Sequence, residues 1–274
     1  MHWPLILDPD RLVNQLHNAD LLIIDLCHPD NYRQGHVPGA VHVHPEETRP
    51  NRQPGSGLLP EKAQLYHLVQ RLGITEDKHI VVYDDEGGGW AGRFIWLLDS
   101  IGHHRHSLLD GGLIAWVNEG YPTCNEPVAP AKTAQAPKAI EINPDVSVTC
   151  EQLISLLQEG NIQVWDARSY AEFSGQRIFA ARGGKIPGAI HFEWIQAMDP
   201  NRNYRLKPLD TLKKTLATIG LTEARPIVTH CQTHHRSGLT YVIGKALGFD
   251  IKAYAGSWSE WGNRSDTPVE VETG

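Results

Sequence analysis

The sequence contains no long hydrophobic run. No stretch of its 274 residues approaches the ~18 consecutive apolar residues that a membrane-spanning helix needs. The opening residues, MHWPLILDPDRL, have no basic segment followed by an apolar one, so they do not predict a signal peptide. We therefore expect a soluble protein located in the cytoplasm.

Cysteine is scarce. The four cysteines stand at positions 27, 124, 150 and 231, and no two of them form a CxxC pair of the kind found in zinc knuckles and dithiol redox sites. So few and so widely spaced cysteines do not predict a disulfide framework. We expect all four thiols to be reduced.

An excess of positive charge is also missing. The 25 Lys and Arg residues are scattered and are outnumbered by 32 Asp and Glu, which gives a net charge of −7. Nucleic acids and anionic membranes are bound through clustered basic surfaces, so neither is an expected partner. Small-molecule substrates are favoured, and we expect a monomer.

The chain contains an internal duplication. The stretch LLIIDLCHPDNYRQGHVPGAVH (21–42) matches IQVWDARSYAEFSGQRIFAARGGKIPGAIH (162–191), which carries an insertion of eight residues. Residues 80–102 match 226–248 at a constant offset of 146, and residues 109–123 match 254–268. The Pro- and Ala-rich stretch between the copies lacks amphipathic periodicity. We therefore predict two domains, 1–123 and 139–274, joined by an extended linker at 124–138.

Each copy alternates short apolar runs with longer amphipathic ones. In the first copy LLIID, AQLYHLVQRLG, HIVVYD and GRFIWLLDSIG follow one another. Strands that are apolar throughout and separated by helices are typical of a parallel sheet covered by helices on both faces. The sequence therefore predicts an α/β protein with two such domains. Ligands of these sheets bind at the carboxyl ends of the strands.

Cys231 stands at such a strand end, in the stretch HCQTHHRSG (230–238). The run IVTHC predicts a strand that enters a tight loop. Ser237 is the expected N-cap of the following helix, which Gly248 would end. A loop curled around the sulfur directs backbone N–H groups and a helix N-terminus at it, and this arrangement favours a thiolate. Cys231 is therefore the candidate nucleophile.

The residues alone leave other interpretations of this loop open. Cys231 is a buried structural thiol in one of them. Another is a zinc site of His230, Cys231, His234 and His235, although adjacent residues project in diverging directions. A third is a cysteine phosphatase, whose signature has five residues between Cys and Arg. Here only four separate Cys231 from Arg236, so the loop fits a guest smaller than phosphate.

The first copy contains a pattern that also occurs in dinucleotide-binding proteins. Gly87, Gly89 and Gly92 have GxGxxG spacing, after a predicted strand and before a predicted helix. However, the acidic residues at 84–86 would lie where a pyrophosphate should bind. The duplication explains this loop as the counterpart of the Cys231 loop, so we expect no nucleotide there.

Over essentially its full length, the sequence resembles the tandem-domain rhodanese family of sulfurtransferases. The resemblance is carried by the duplication, the stretch DAR…F…G…KIPGAIHF from Asp166 to Phe192, the loop from Cys231 to Arg236, and AGSWSEW near the C-terminus. CQTHHRSG is similar to the loop of a bacterial subgroup. The resemblance implies a catalytic second domain and a first domain without a nucleophile, in which Asp85 stands at the cysteine position.

The resemblance also implies a reaction. Cys231 would take the outer sulfur of thiosulfate as a persulfide and pass it to cyanide or a thiol, without a metal or organic cofactor. The alternatives are a 3-mercaptopyruvate sulfurtransferase, and a persulfide relay or binding module for a sulfur-accepting partner protein. The implied persulfide cradle consists of Gln232, Thr233, His234, His235, Arg236 and Ser237.

Donor binding is expected to involve Arg236, Lys185 and the two loop histidines, because a dianion needs positive potential at the mouth of the loop. Trp194 is expected near the loop because it follows the strand end in IPGAIHF. One position departs from the best-known members of the family, in which an Arg often stands where this chain has Glu172.

Overall fold

The computed structural model describes residues 3–50, 56–129 and 140–271. Residues 130–138 of the predicted linker lie outside the described residues. The strands are β1 (Ile6–Leu7), β2 (Leu21–Asp25), β3 (Val41–His42), β4 (His79–Tyr83), β5 (His106–Leu109), β6 (Gln163–Asp166), β7 (Ile190–His191), β8 (Met198–Asp199), β9 (Arg205–Leu206), β10 (Ile227–His230) and β11 (Ile251–Ala253).

The helices in the described residues are α1 (Pro9–Val13), α2 (Pro29–Gln34), α3 (Lys62–Leu72), α4 (Gly89–Ser100), α5 (Gly112–Asn118), α6 (Cys150–Glu159), α7 (Tyr170–Phe173), α8 (Leu209–Thr218), α9 (Arg236–Ala246) and α10 (Ser257–Trp261). Short 3-10 helices cover Pro45–Thr48, Pro144–Val146, Trp194–Ala197 and Pro200–Arg202. None of the described helices is long and apolar enough to cross a membrane.

The chain forms two compact units, and each includes a short segment from the other half of the sequence. Unit 1 consists of Met1–Pro50, Leu59–Asn143 and Asp199–Leu206. Unit 2 consists of Asn51–Leu58, Pro144–Met198 and Lys207–Gly274. The internal repeat in the sequence does not indicate that Asp199–Leu206 belongs to unit 1 or that Asn51–Leu58 belongs to unit 2.

Unit 1 is built on a parallel sheet with the strand order β1-β5-β4-β2-β3 among the described residues. Its central strand, β4, is buried at every position, and Ile80 pairs with Leu22 on one side and His106 on the other. Helix α4, which follows β4, is also buried at almost every position. A strand that is apolar throughout requires cover on both faces, and this explains the continuous run HIVVY.

Unit 2 repeats this plan with a parallel sheet whose described strands have the order β11-β10-β6-β7. One of its two inner strands, β10, is buried throughout, and Thr229 pairs with Trp165 and with Ala253. Trp258 and Trp261 lie in its hydrophobic core. The prediction of α/β domains with mainly parallel sheets is confirmed.

Residues 56–58, which belong to unit 2, pack backbone to backbone against the loop after β10. A Cβ atom at Gly57 would lie 2.1 Å from the carbonyl oxygen of Ala255 and 2.7 Å from the carbonyl carbon of Thr233. Only glycine fits such a close approach of two backbones. A segment from the N-terminal half of the sequence therefore supports the Cys231 loop.

Candidate active site

Cys231 directly follows β10, and α9 begins five residues later at Arg236. The predicted sequence of strand, tight loop and helix is therefore confirmed, and Gly248 follows the end of α9 with the left-handed φ of 77° that favours glycine. Cys231 has no exposed surface. The thiol thus lies beneath the loop, at the carboxyl end of β10.

The surroundings of Cys231 favour the thiolate. Burial raises the pKa of the thiol, but the charge of Arg236, hydrogen bonds from the hydroxyl and N–H of Ser237, and the N–H of Thr233 outweigh it, so the pKa lies below its ordinary value. A lowered pKa is the property that separates a reactive cysteine from an inert buried one. The two other fully buried thiols show the opposite behaviour, because burial raises the pKa of Cys27 and that of Cys150.

Helix α10 holds the carbonyl groups of the loop away from the sulfur. The N–H of Trp258 donates to the carbonyl of Cys231, and the N–H of Ser259 donates to that of Gln232, each at 2.9 Å. These donors belong to the first turn of α10, whose N–H groups have no partner within the helix. The AGSWSEW stretch therefore fixes the peptide groups of Cys231 and Gln232, the first two residues of the loop.

Ser257 fixes the loop by a second route. Its hydroxyl accepts the N–H groups of Cys231 at 3.3 Å and His234 at 3.1 Å, and it donates to the carbonyl of Tyr254 at 3.0 Å. Ser257 has a φ of 54°, which is rare for a residue with a side chain. Strained residues of this kind are found where a site needs them. The sequence analysis missed Ser257, because only the motif around it marks the position.

His234 and Ser237 form the interior of the loop. His234 is fully buried with a φ of 53°, and its Nδ1 lies 2.8 Å from the Ser237 hydroxyl. The prediction that Ser237 is the N-cap of α9 is wrong, because α9 begins at Arg236 and His235 is the N-cap. The Ser237 hydroxyl bonds to His234 and the Cys231 sulfur instead of capping the helix.

Arg236 is held by Glu172 in a two-bonded ion pair. Its two terminal nitrogens donate to the two carboxylate oxygens at 2.6 and 2.8 Å. Glu172 is buried, and burial raises its pKa, but Arg236 and Ser169 outweigh this effect and lower it. Glu172, which stands where the best-known members of the resembled family often have an Arg, thus provides a carboxylate that compensates the charge of Arg236.

A cleft of about 520 Å³ opens beside the loop. Gln232, Thr233 and Arg236 form the side that belongs to the loop, whereas the buried Cys231 is not among the described residues that line the cleft. The other residues of the lining are Glu172, Arg177, Phe179, Ser259 and Asn263. The loop residues therefore face a space large enough for a small donor.

Arg177 and Phe179 are lining residues that the sequence analysis missed. They belong to the insertion that distinguishes the second copy from the first. The carbonyl of Phe179 accepts the side-chain amide of Gln232 at 3.1 Å, so the insertion is tied to the loop. An insertion present only in the copy with the cysteine is the signal that could have identified them.

Lys185 and Trp194 are outside the set of described residues that line the cleft. The ammonium group of Lys185 lies 3.4 Å from Glu270 and 4.4 Å from the centre of the Phe173 ring. The Trp194 ring lies 5.6 Å from the ring of His235, centre to centre. The structure thus brings Trp194 into contact with the predicted loop and pairs Lys185 with Glu270.

The histidines of the loop face different partners. His230 Nε2 lies 3.4 Å from the carboxylate of Asp166, whereas His234 bonds to Ser237. Asp166 in turn forms a buried ion pair with Arg168. Within the described residues, no group of three or more His, Cys, Asp and Glu side chains is placed to hold a metal ion. The zinc interpretation of the loop therefore has no support in the structure.

The model of the rhodanese-like domain matches two parts of the chain, residues 8–119 and 149–264. The chain belongs to the rhodanese family. Two curated relatives, each named thiosulfate sulfurtransferase, are similar to this rhodanese over 98% of its length and 97% of their own. The protein from Azotobacter vinelandii is 47% identical and that from Pseudomonas aeruginosa is 46% identical.

A solved structure has the same fold as this chain. The anaerobic ergothioneine biosynthesis enzyme from Chlorobium limicola, in complex with trimethyl histidine, superposes with a TM-score of 0.86 at 20% sequence identity. The superposition covers 97% of this chain and 70% of the other. At this identity the likeness concerns the fold.

The first rhodanese-like domain has an acidic residue inside the loop that corresponds to the Cys231 loop. The Asp84 carboxylate accepts the N–H groups of Glu86, Gly87 and Gly88 at 2.8 to 3.1 Å and that of Ala91 at 3.0 Å. By sequence offset Asp85 stands opposite Cys231, but its carboxylate accepts the N–H of His28 outside the loop. Asp84 thus occupies the N–H groups that a pyrophosphate would need.

Proposed function

We propose that the protein is a thiosulfate sulfurtransferase that carries sulfane sulfur as a persulfide on Cys231. The observation that carries the proposal is the buried, thiolate-stabilising loop at the mouth of a cleft of small-molecule size. The curated relatives with 46% and 47% identity support the same activity. Cys231, the loop residues that follow it and the cleft are the proposed active site.

In the first half-reaction, the Cys231 thiolate attacks the outer sulfur of thiosulfate. The new bond joins the cysteine sulfur to this sulfur, and the old sulfur–sulfur bond breaks with its electron pair on sulfite, which leaves. The negative charge of the thiolate passes to the terminal sulfur of the persulfide. The N–H groups of Thr233 and Ser237, which stabilise the thiolate, lie in the loop that surrounds this second anion.

In the second half-reaction, cyanide or a thiol attacks the terminal sulfur of the persulfide. The bond between the two sulfurs breaks with its electron pair on Cys231, and thiocyanate or a new persulfide leaves. The thiolate is the leaving group in this step, so the loop that lowers the pKa of Cys231 also assists its departure. Arg236 acts on both steps through its charge, which Glu172 reduces in part.

Intact mass spectrometry tests the proposal directly. We expect thiosulfate to add one sulfur atom to the reduced protein and cyanide to remove it again. Cys231→Ser should gain no sulfur, whereas Cys124→Ser should behave like the parent. Sulfur gained equally by Cys231→Ser would overturn the assignment. Release of phosphate from an aryl phosphate by the parent, but not by Cys231→Ser, would instead favour the phosphatase interpretation.

One observation makes 3-mercaptopyruvate a second candidate donor. Glu172 compensates the charge of Arg236, so the mouth of the loop is less positive than a dianion prefers. The comparison that decides between the donors is kcat/KM for thiosulfate and for 3-mercaptopyruvate, at the same pH and ionic strength. We expect the larger value with thiosulfate, and the reverse order would assign the protein to the other donor.

A persulfide relay to a partner protein is the remaining candidate function. Phe179, which lines the cleft, and its neighbour Ile178 are 51% and 58% exposed, and such apolar side chains suit contact with another protein. Steady-state production of thiocyanate separates the two functions. Turnover of many equivalents per enzyme supports the sulfurtransferase, whereas stoichiometric loading with negligible turnover supports the relay.

A further inference from the structure

Two of the cations expected to attract an anionic donor are already engaged by carboxylates. Both terminal nitrogens of Arg236 bond to Glu172, and the ammonium group of Lys185 lies 3.4 Å from Glu270. A compensated charge exerts little attraction on a further anion. The cleft therefore needs another source of positive charge if it is to take a dianion.

Arg177 supplies that charge. It lies in the wall of the cleft, and its guanidinium carbon stands 4.7 Å from the centre of the Phe179 ring. In the described parts of the chain, no carboxylate lies within ion-pair distance of this guanidinium. A ring contact orients a guanidinium without consuming its N–H donors, which match the oxygens of a sulfonate or a carboxylate.

The position of Arg177 is tied to the catalytic loop. Its N–H donates to the carbonyl of Ala171 at 2.7 Å, and the carbonyl of Phe179 accepts the side chain of Gln232 at 3.1 Å. The insertion that carries Arg177 occurs in the copy with Cys231 and has no counterpart in the other copy. The insertion therefore introduces this cation only where a nucleophile is present.

We infer that Arg177 binds the anionic end of the sulfur donor and so determines the preference for anionic donors. The inference rests on the proposed function and adds a specificity-determining residue to it. With thiosulfate, the guanidinium would hold the sulfonate oxygens in the cleft while the outer sulfur reaches Cys231. The same contact would hold sulfite, because sulfite is the group that leaves.

The reverse of the donor step isolates this contact. Sulfite attacks the terminal sulfur of the Cys231 persulfide, the bond between the two sulfurs breaks with its electron pair on Cys231, and thiosulfate leaves. An uncharged dithiol removes the same sulfur from the same loaded enzyme without a sulfonate. A variant that only disturbs the structure of the loop should slow both acceptors, whereas a variant that loses an anion contact should slow sulfite alone.

The experiment measures second-order rate constants for unloading with sulfite and with dithiothreitol. It compares the parent, Arg177→Gln, Arg177→Lys and the control Arg225→Gln, which removes an exposed charge outside the cleft lining. We expect Arg177→Gln to lose about tenfold with sulfite, as for a charged hydrogen bond, and less than about twofold with dithiothreitol. Arg177→Lys should recover part of the loss, and Arg225→Gln should match the parent.

Each other outcome has a distinct meaning. If thiosulfate does not load the parent with sulfur, the proposed function fails, whatever the Arg177 variants do. If the parent loads and Arg177→Gln reacts with sulfite as fast as the parent, the inference about Arg177 is wrong while the function stands. Equal losses with both acceptors would also overturn it, since Arg177 would then act only on the structure of the loop.

Discussion

The loops that follow β4 and β10 hold different groups in the same kind of backbone cradle. In unit 1, N–H groups that include those of Gly87 and Ala91 surround the Asp84 carboxylate. In unit 2, the N–H groups of Thr233 and Ser237, which stand 146 positions further on, face the Cys231 sulfur. The cradle is therefore a property of the fold, and the two units differ in the side chains placed in it and beside it.

The two cradles differ in their charges. Burial and the neighbouring Glu86 raise the pKa of Asp84 to about 6, even though several N–H groups bond to it. At Cys231 the charge of Arg236 changes the balance, and the pKa is lowered. The residue at the position of Arg236 in unit 1 is Trp90, which is uncharged. Backbone donors alone thus do not overcome burial of an anion, whereas donors together with a guanidinium do.

Removing the group inside each cradle should have unequal effects on stability. Asp84→Ala leaves three buried N–H groups and one half-buried N–H group without their acceptor, and we expect a loss on the order of 3 kcal/mol in the free energy of unfolding. Cys231→Ala should cost about 1 kcal/mol, a typical value for a point mutation, because it also removes a buried negative charge. Urea unfolding followed by circular dichroism measures both. Equal losses would contradict the view that Asp84 is structural and Cys231 functional.

Loss of the Ser257 hydroxyl should weaken only the cradle in unit 2. Ser257→Ala removes the acceptor for the N–H groups of Cys231 and His234, and an unsatisfied buried donor costs roughly 1–3 kcal/mol. We expect kcat/KM for thiosulfate to fall about tenfold or more, with loading still confined to Cys231. Ser155→Ala, an exposed position in α6, is the control. Unchanged kinetics would show that the backbone N–H groups of Trp258 and Ser259 hold the loop without the Ser257 hydroxyl.

Removing the Arg236 guanidinium should bring the pKa of Cys231 closer to that of an ordinary thiol. Because Arg236 lowers the pKa of Cys231, Arg236→Gln should raise it. The pH at which alkylation by iodoacetamide reaches half its maximal rate then moves upward, and the rate at pH 7 falls. Mass spectrometry of the Cys231 peptide measures the rate at each pH. A curve that does not move would assign the lowered pKa to the N–H groups.

Removing the Glu172 carboxylate should shift the pKa of Cys231 in the opposite direction and by a smaller amount. Glu172→Gln leaves the charge of Arg236 uncompensated, so the pKa of Cys231 should fall, by less than it rises in Arg236→Gln, and alkylation should begin at lower pH. The same titration with iodoacetamide tests it, and Glu151→Gln on the exposed face of α6 is the control. An upward shift would mean that Glu172 serves to position Arg236 rather than to compensate it.

Sequence periodicity was sufficient to predict the parallel α/β fold and the place of Cys231 at a strand end, because both depend on contiguous residues. It was not sufficient for contacts between distant residues. Nothing near Glu172 indicates that it pairs with Arg236, and nothing near Lys185 indicates that it lies at Glu270. Such partners depend on how loops from different parts of the chain meet, and a pattern along the chain does not record this.

The close packing of Gly57 on the catalytic loop has a consequence for how the protein matures. Gly57 is synthesised long before Thr233, yet the two backbones are in contact in the folded unit. The half of the duplication that contains Cys231, expressed alone, would lack this support for its own loop. The loop around Cys231 can therefore complete its packing only after both halves of the chain have been synthesised, because a segment of the copy without the cysteine is part of the structure that surrounds it.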